Sequence, residues 1–239
     1  MPNVPHQPKT GLLLSGGIDS AVLLDQLLGR GWQVVPFYVR TGCVWESSEL
    51  DSAERFLASL EQPASRASRA LHELVVLDMR VDDLYGDHWS LSGADVPDEH
   101  TPDEAVYLPG HNPLMLIKPV VWCRMHDIPQ LMLATLSNNP FPDATPVFFA
   151  RFEEMLHEAM GGRVEIARPF EQLTKNQVLE MGRDLPLELT FSCLAPVDGL
   201  HCGHCNKCAE RRRAFLEVGM NDPTEYAAAV WADGTSGGG

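Results

Sequence analysis

The stretch Leu14-Ser15-Gly16-Gly17-Ile18-Asp19-Ser20 decides how the chain is read. It follows an apolar run, Gly11-Leu12-Leu13-Leu14, short enough for a buried parallel strand. It precedes Ala21-Val22-Leu23-Leu24-Asp25-Gln26-Leu27-Leu28, whose leucines recur at helical spacing. Strand, small-residue turn and helix together give a glycine loop its meaning. Gly16 and Gly17 let the backbone approach an oxyanion because no Cβ intervenes. The new helix offers unpaired amides and a positive dipole end to phosphate oxygens, and the hydroxyls of Ser15 and Ser20 add donors. Asp19 repels phosphate unless a cation lies between, so it is expected to face Mg²⁺ or an ATP hydroxyl.

Working outward, the alternation continues. Trp32–Val39 reads as a second strand, Glu46–Leu60 as a helix, His72–Asp78 as a third strand and Gln130–Leu136 as a fourth. Leu114–Met125 reads as an apolar helix with Asn112 as N-cap and Pro113 in its first turn. Thr145 caps a helix running to Met160, Val164–Ala167 is a short strand, and Thr174-Lys175-Asn176-Gln177 opens another helix. The expectation is an α/β fold, a doubly wound, mainly parallel five-stranded sheet with helices on both faces. In such sheets ligands sit at the carboxyl ends of the strands. That places the loops Arg40–Val44 and Ser137–Asp143 at the ligand edge. Residues 79–106 break the pattern with many carboxylates among glycines and prolines. They read first as a solvated surface insertion, ahead of a metal cluster, with a mobile lid or a dimer contact as further alternatives. A short helix is expected over Pro223–Trp231 and a disordered tail over 234–239.

Composition bounds the function. The 239 residues carry a formal net charge of −15, with 33 acidic against 18 basic side chains, the reverse of a surface that grips polyanions. A small-molecule substrate is favoured over nucleic acid, the cluster Arg211-Arg212-Arg213 being the one local exception. No apolar run reaches the ~18 residues of a membrane span. The polar, proline-rich start lacks an apolar signal region, so the expectation is a cytoplasmic protein with no membrane partner.

Four cysteines, Cys193, Cys202, Cys205 and Cys208, fall in the pattern C-x8-C-x2-C-x2-C. Thiolates two residues apart can turn back onto one ion, and four of them make the closed shell of a structural Zn²⁺ site. An iron–sulfur cluster uses the same ligands, and a redox dithiol or a disulfide pair is the other alternative. His201 and His204 flank the set without being needed as ligands. Cys123 lies in an apolar helix and reads as core. Cys43 lies on a ligand-edge loop.

The first stretch lacks the Gly-Lys-Ser/Thr ending of a Walker A loop and resembles the S-G-G-x-D-S loop of the PP-loop ATP pyrophosphatases, an adenine nucleotide alpha hydrolase-like, Rossmann-like fold. Taken with Tyr107–Asn112, Lys175, Leu189–Cys193 and the Cys202–Cys208 knot, the chain resembles the 7-cyano-7-deazaguanine synthase family over nearly its whole length. That resemblance implies ATP bound at Leu14, Ser15, Gly16, Gly17, Ile18, Asp19 and Ser20, with Mg²⁺ on the phosphates and one structural Zn²⁺ on the four cysteines. It also implies a homodimer. Asp19 and Lys175 are the implied catalytic pair, Lys175 either neutralising phosphate or lying in solvent. Residues 1–190 would form the ATP-binding domain, and 191–233 a zinc-binding segment packed on it. The implied reaction adenylates 7-carboxy-7-deazaguanine and converts it with ammonia to the nitrile. Candidate acceptor contacts are Arg40, His111, Asn112, Asn138 and Asp143. The chain departs from the family pattern where Arg40-Thr41-Gly42-Cys43 and Ser137-Asn138-Asn139-Pro140 stand, and His111 replaces a typical arginine. The alternatives are a different carboxylate, amide or tRNA base as acceptor, or a zinc-stabilised nucleotide-binding protein without turnover.

Overall fold

The structure, a computed structural model, describes residues 7–60, 70–137 and 139–227. Five strands, β1 (Lys9–Leu13), β2 (Gln33–Arg40), β3 (Val75–Asp78), β4 (Gln130–Met132) and β5 (Glu165–Ala167), form one sheet in the order β3-β2-β1-β4-β5. Every pairing is parallel, so this is the doubly wound α/β sheet expected from the alternation. The chain builds outward from β1 to β3, then crosses back to place β4 on the other side of β1. The order therefore reverses between β1 and β4, and a crevice opens above their carboxyl ends.

Alternate residues of each strand serve opposite faces. Leu12, Val34 and Met132 join one core with α1 (Ile18–Gly29), α2 (Glu46–Leu60), α7 (Lys175–Met181) and α8 (Asn206–Glu217). Val35, Phe37 and Leu131 join the other with α5 (His111–Met125) and α6 (Pro146–Met160). Gly11 sits where this second layer is tightest. A Cβ there would lie 2.8 Å from both Cys123 Sγ and the Phe37 ring.

Several elements differ from expectation. β4 stops at Met132: Leu133 still donates to the Ala167 carbonyl, but the chain then leaves the sheet towards the crevice. β3 starts at Val75. Asn112 is not the cap of α5. Gly110, at φ 74°, takes that position, and Asn112 lies in the first turn. The expected helix from Pro223 does not form over 223–227. The Thr224 amide bonds back to the Asp222 carboxylate at 3.0 Å, and Tyr226 pairs with His201 instead. Residues 228–239, including the expected tail, lie outside the described residues.

The acidic insertion is not simply a solvated loop. Its carboxylates face water, but α3 (Asp82–Tyr85), α4 (Trp89–Ser92) and the turn Asp103–Val106 put Val81, Ser90, Pro97 and Val106 inside. Trp89, Val96 and Val106 pack with Trp45, Phe191 and the cysteines in a third apolar cluster. The arginine run forms no basic patch either. Arg211 is buried, donating to Thr190, Ser192, Thr224 and the Leu187 carbonyl, and Arg212 pairs with Glu99 at 2.7 Å. Among the described residues no helix is long and apolar enough to cross a membrane.

Candidate active site

The β1–α1 turn is held by backbone. The Leu14 amide donates to the Phe37 carbonyl at 2.8 Å, and the Gly16 carbonyl accepts from the Phe191 amide at 2.8 Å. Gly16 has φ +75°, and a Cβ there would stand 2.7 Å from the Glu49 carbonyl oxygen. Only glycine fits both the dihedral and the space. Gly17 begins α1 without any side-chain cap, which leaves first-turn amides for a ligand. Ser20 donates to the Gly17 carbonyl and lies 3.3 Å from the Ser15 hydroxyl.

Above this turn lies a cavity of about 410 Å³. Leu14, Ser15, Gly17, Ile18 and Asp19 line one end. Asp19 does not face open solvent: both its carboxylate oxygens accept from Lys175 Nζ at 2.8 Å. The lysine is set there by the Thr174–Gln177 capping box that starts α7. Beside them Lys207 pairs with Glu210 at 2.6 Å. Burial works against the Glu210 carboxylate, yet Lys207 and Lys175 hold it below the usual range. Two lysines thus stand where phosphates would enter, each held by a carboxylate.

The other end is built from distant segments: Trp45, Trp89, Tyr107, Leu108 and Phe141, with His111, Asn112 and Asp143 among them. The Trp45 and Trp89 rings lie 5.7 Å apart and the Tyr107 and Phe141 rings 5.2 Å apart. Asp143 is buried. Its carboxylate accepts from the Asn112 amide at 3.0 Å, and its carbonyl accepts from Asn112 Nδ2 at 2.9 Å. So a carboxylate from a neighbouring loop takes the α5 N-terminus. Burial pushes the His111 imidazole pKa down, with Asp143 acting the other way.

Arg40 is not part of this assembly. It pairs with Asp78 at 2.8 Å on an exposed edge and does not line the cavity. Asn138 lies outside the described residues; its neighbour Asn139 reaches the cavity. Sequence reasoning passed over Tyr38, Glu49 and Glu210, all of which line it. Tyr38 sits in an unbroken apolar strand and the two glutamates on charged helices, so nothing local marked them.

The four sulfurs of Cys193, Cys202, Cys205 and Cys208 lie within 4.8 Å of one another, all buried. Two of the separations are 3.9 Å, against about 3.8 Å for a tetrahedron with Zn–S bonds near 2.3 Å. Backbone amides of Leu194, Ala195, Cys202 and Cys205 point at the sulfurs at 3.2 to 3.4 Å, which favours thiolates. The set fits one tetrahedral ion. His201 faces away, its Nε2 accepting from the Ser192 amide at 3.2 Å, and His204 is exposed.

The family model described as Queuosine biosynthesis protein QueC matches residues 9–219. The chain belongs to the QueC family. It is 31% identical over 242 residues to the 7-cyano-7-deazaguanine synthase of Syntrophobacter fumaroxidans, with 92% of this chain and 97% of that protein covered. It is 32% identical over 230 residues to the protein of that name from Xanthomonas oryzae pv. oryzae, with 92% and 98% covered. Among solved structures, the NMN synthetase of Francisella tularensis superposes with a TM-score of 0.45 at 15% identity over 91% of this chain and 79% of that one. That likeness is too slight to bear on function. QueC membership supports a place in queuosine biosynthesis and an enzyme of the PP-loop ATP pyrophosphatase type.

Proposed function

We propose that the chain is an ATP-dependent carbon–nitrogen ligase that converts 7-carboxy-7-deazaguanine and ammonia to 7-cyano-7-deazaguanine. One observation carries the reading: a single cavity joins the PP-loop and its lysines to an aromatic, carboxylate-bearing pocket. The first end suits ATP and the second a flat heteroaromatic acid. A carboxylate is a poor electrophile, so AMP is transferred to the acceptor's carboxyl oxygen and pyrophosphate departs. Ammonia then displaces AMP to give the amide. A second ATP adenylates the amide oxygen with release of pyrophosphate; AMP then departs with that oxygen as the nitrogen gives up its protons, which leaves the nitrile.

The residues have separable tasks. First-turn amides of α1 and the Ser15 hydroxyl bind phosphate oxygens. Lys175, released from Asp19, neutralises charge that grows on the departing pyrophosphate. Asp19 is then free to hold Mg²⁺, which supplies charge balance on the phosphates when bound. The aromatic walls orient the acceptor ring, and Asp143 accepts hydrogen bonds from its N–H edge. Zn²⁺, bound by the four cysteines, supplies folding energy rather than chemistry. A cytoplasmic setting, where thiols stay reduced, and a homodimer belong to the same reading.

Mass spectrometry of AMP, pyrophosphate and product, with and without the acceptor, tests this. A nitrile formed by the parent, with turnover at least about 10²-fold lower in Asp19→Ala, is the expected result. ATP binding with no turnover of this acceptor would overturn the assignment and turn attention to loops 40–44 and 137–143 for another one.

A further inference from the structure

The ligase reading leaves one demand that its residues do not meet. At neutral pH ammonia is mostly ammonium, which has no lone pair to attack with. We propose that Glu49 binds ammonium beside the PP-loop and accepts the proton that turns it into ammonia, a role that rests on the ligase reading.

Among the described residues that line the cavity, Glu49 is the carboxylate held by neither a lysine nor the N-terminus of α5. Asp19 is paired with Lys175 and Glu210 with Lys207, and Asp143 takes the α5 N-terminus. Glu49 Oε2 accepts from the Tyr38 hydroxyl at 3.1 Å, while Oε1 has no partner among the described residues. The nearby Glu46 carboxylate is occupied by the Gly42 amide at 2.6 Å, so it holds the loop rather than a ligand. The position is fixed from two sides. The Tyr38 hydroxyl also reaches the Glu46 carbonyl at 3.2 Å, and the Glu49 carbonyl abuts Gly16. That contact seats the first turns of α2 against the loop where an acyl-adenylate would lie.

The chemistry matches. An ordinary carboxyl is too weak a base for ammonium, and a base works best when its pKa lies near the working pH. Burial pushes the Glu49 carboxyl up to about 8; the Tyr38 hydroxyl pulls it back and Glu46 adds to the rise. Glu49 Oε1 takes one proton from ammonium, leaving ammonia with its lone pair. The C–N bond forms as the acyl C–O bond to AMP breaks, with that electron pair going to the phosphate oxygen. The surplus proton on nitrogen passes to the same phosphate, so the products are the amide, AMP and protonated Glu49.

The test is Glu49→Gln, which keeps the shape and the Tyr38 bond. Three readouts are compared: acceptor-dependent ATP/pyrophosphate exchange, amide formation from ammonium, and hydroxamate formation from hydroxylamine. Hydroxylamine is neutral at pH 7 and needs no base to attack. Exchange and hydroxamate formation should stay near the parent, while ammonium-dependent amide formation falls about 10²-fold. A parallel loss with both nucleophiles, or an undiminished amide rate, would sink the proposal. Tyr38→Phe, which removes the hydroxyl from the Glu49 carboxylate and the Glu46 carbonyl, should raise the ammonium KM several-fold and leave exchange unchanged; an unaltered KM counts against the role. Absence of exchange in the parent overturns the ligase reading itself, whatever Glu49→Gln does.

Discussion

The two ends of the cavity are built in opposite ways. The nucleotide end is one short turn, Leu14 to Ser20, closed by backbone bonds to Phe37 and Phe191 and flanked by lysines already paired with carboxylates. The acceptor end has no segment of its own. Trp45, Trp89, Tyr107 and the Phe141–Asp143 turn arrive from four places in the chain and meet where the insertion packs on the cysteine cluster. The first end depends on local dihedrals and helix amides, the second on long-range packing. Function at the two ends should therefore fail for different reasons.

The largest effect is expected from removing the metal. Phe191 joins the PP-loop to the segment that carries Cys193, and the cysteines pack with Trp45, Trp89 and Val106. Chelation, or Cys208→Ser, should cost several kcal/mol and lower the melting temperature by about 10 °C or more. Both ends should fail together in ATP- and acceptor-binding assays. Loss of acceptor binding with ATP binding intact would show that the knot supports only the second end.

Asp143→Asn comes next and should separate the ends. The buried carboxylate would lose its charge at the α5 N-terminus and at the acceptor edge. An acceptor KM raised by about 10- to 100-fold is expected, equivalent to 1.4 to 2.7 kcal/mol. ATP/pyrophosphate exchange at saturating acceptor should change little. An equal loss in ATP affinity would mean that the two ends are one cooperative unit.

How legible each end was follows from the same contrast. Ser15-Gly16-Gly17-Ile18-Asp19-Ser20 is contiguous, and its flanks show their strand and helix periods directly, so the nucleotide end and the sheet could be read together. The cysteine spacing carried its own geometry. Asn112 misled because asparagine before proline looks like a cap, whereas the cap position needed the positive φ that Gly110 supplies and the charge came from Asp143, 31 residues later. The aromatic wall was hidden because Trp89 sits in a stretch of exposed carboxylates, where no period marks an inward face. Glu49 was hidden because a glutamate in the first turn of an amphipathic helix is ordinary until Tyr38 and Gly16 are seen beside it.

A smaller effect should appear in stability against pH, and it belongs to the junction between the ends. Glu49 titrates near 4.5 in an unfolded chain and about 8 when folded. The folded state therefore binds this proton more tightly. Its contribution is fully present below about pH 4.5 and is lost as pH rises through 8. Between pH 5 and 8 the parent should lose up to about 1.4 kcal/mol more stability per pH unit than Glu49→Gln in denaturant titrations. Parallel pH profiles would mean that water reaches the carboxyl freely and the junction is open.

The smallest effect tests where the acceptor end stops. Arg40 follows Val39, which lines the cavity, yet its guanidinium turns outward to Asp78, with side chains 44% and 59% exposed. Such a pair contributes about 0 to 1 kcal/mol, because water already solvates both charges and two long side chains must be held still. Arg40→Ala should shift the melting temperature by no more than about 2 °C and leave the KM for ATP and for acceptor unchanged. A raised acceptor KM would mean that Arg40 leaves Asp78 for the ligand once the cavity fills. The acceptor end would then extend over the edge of β2, and the boundary between a closed nucleotide end and an assembled acceptor end would have to move outward with it.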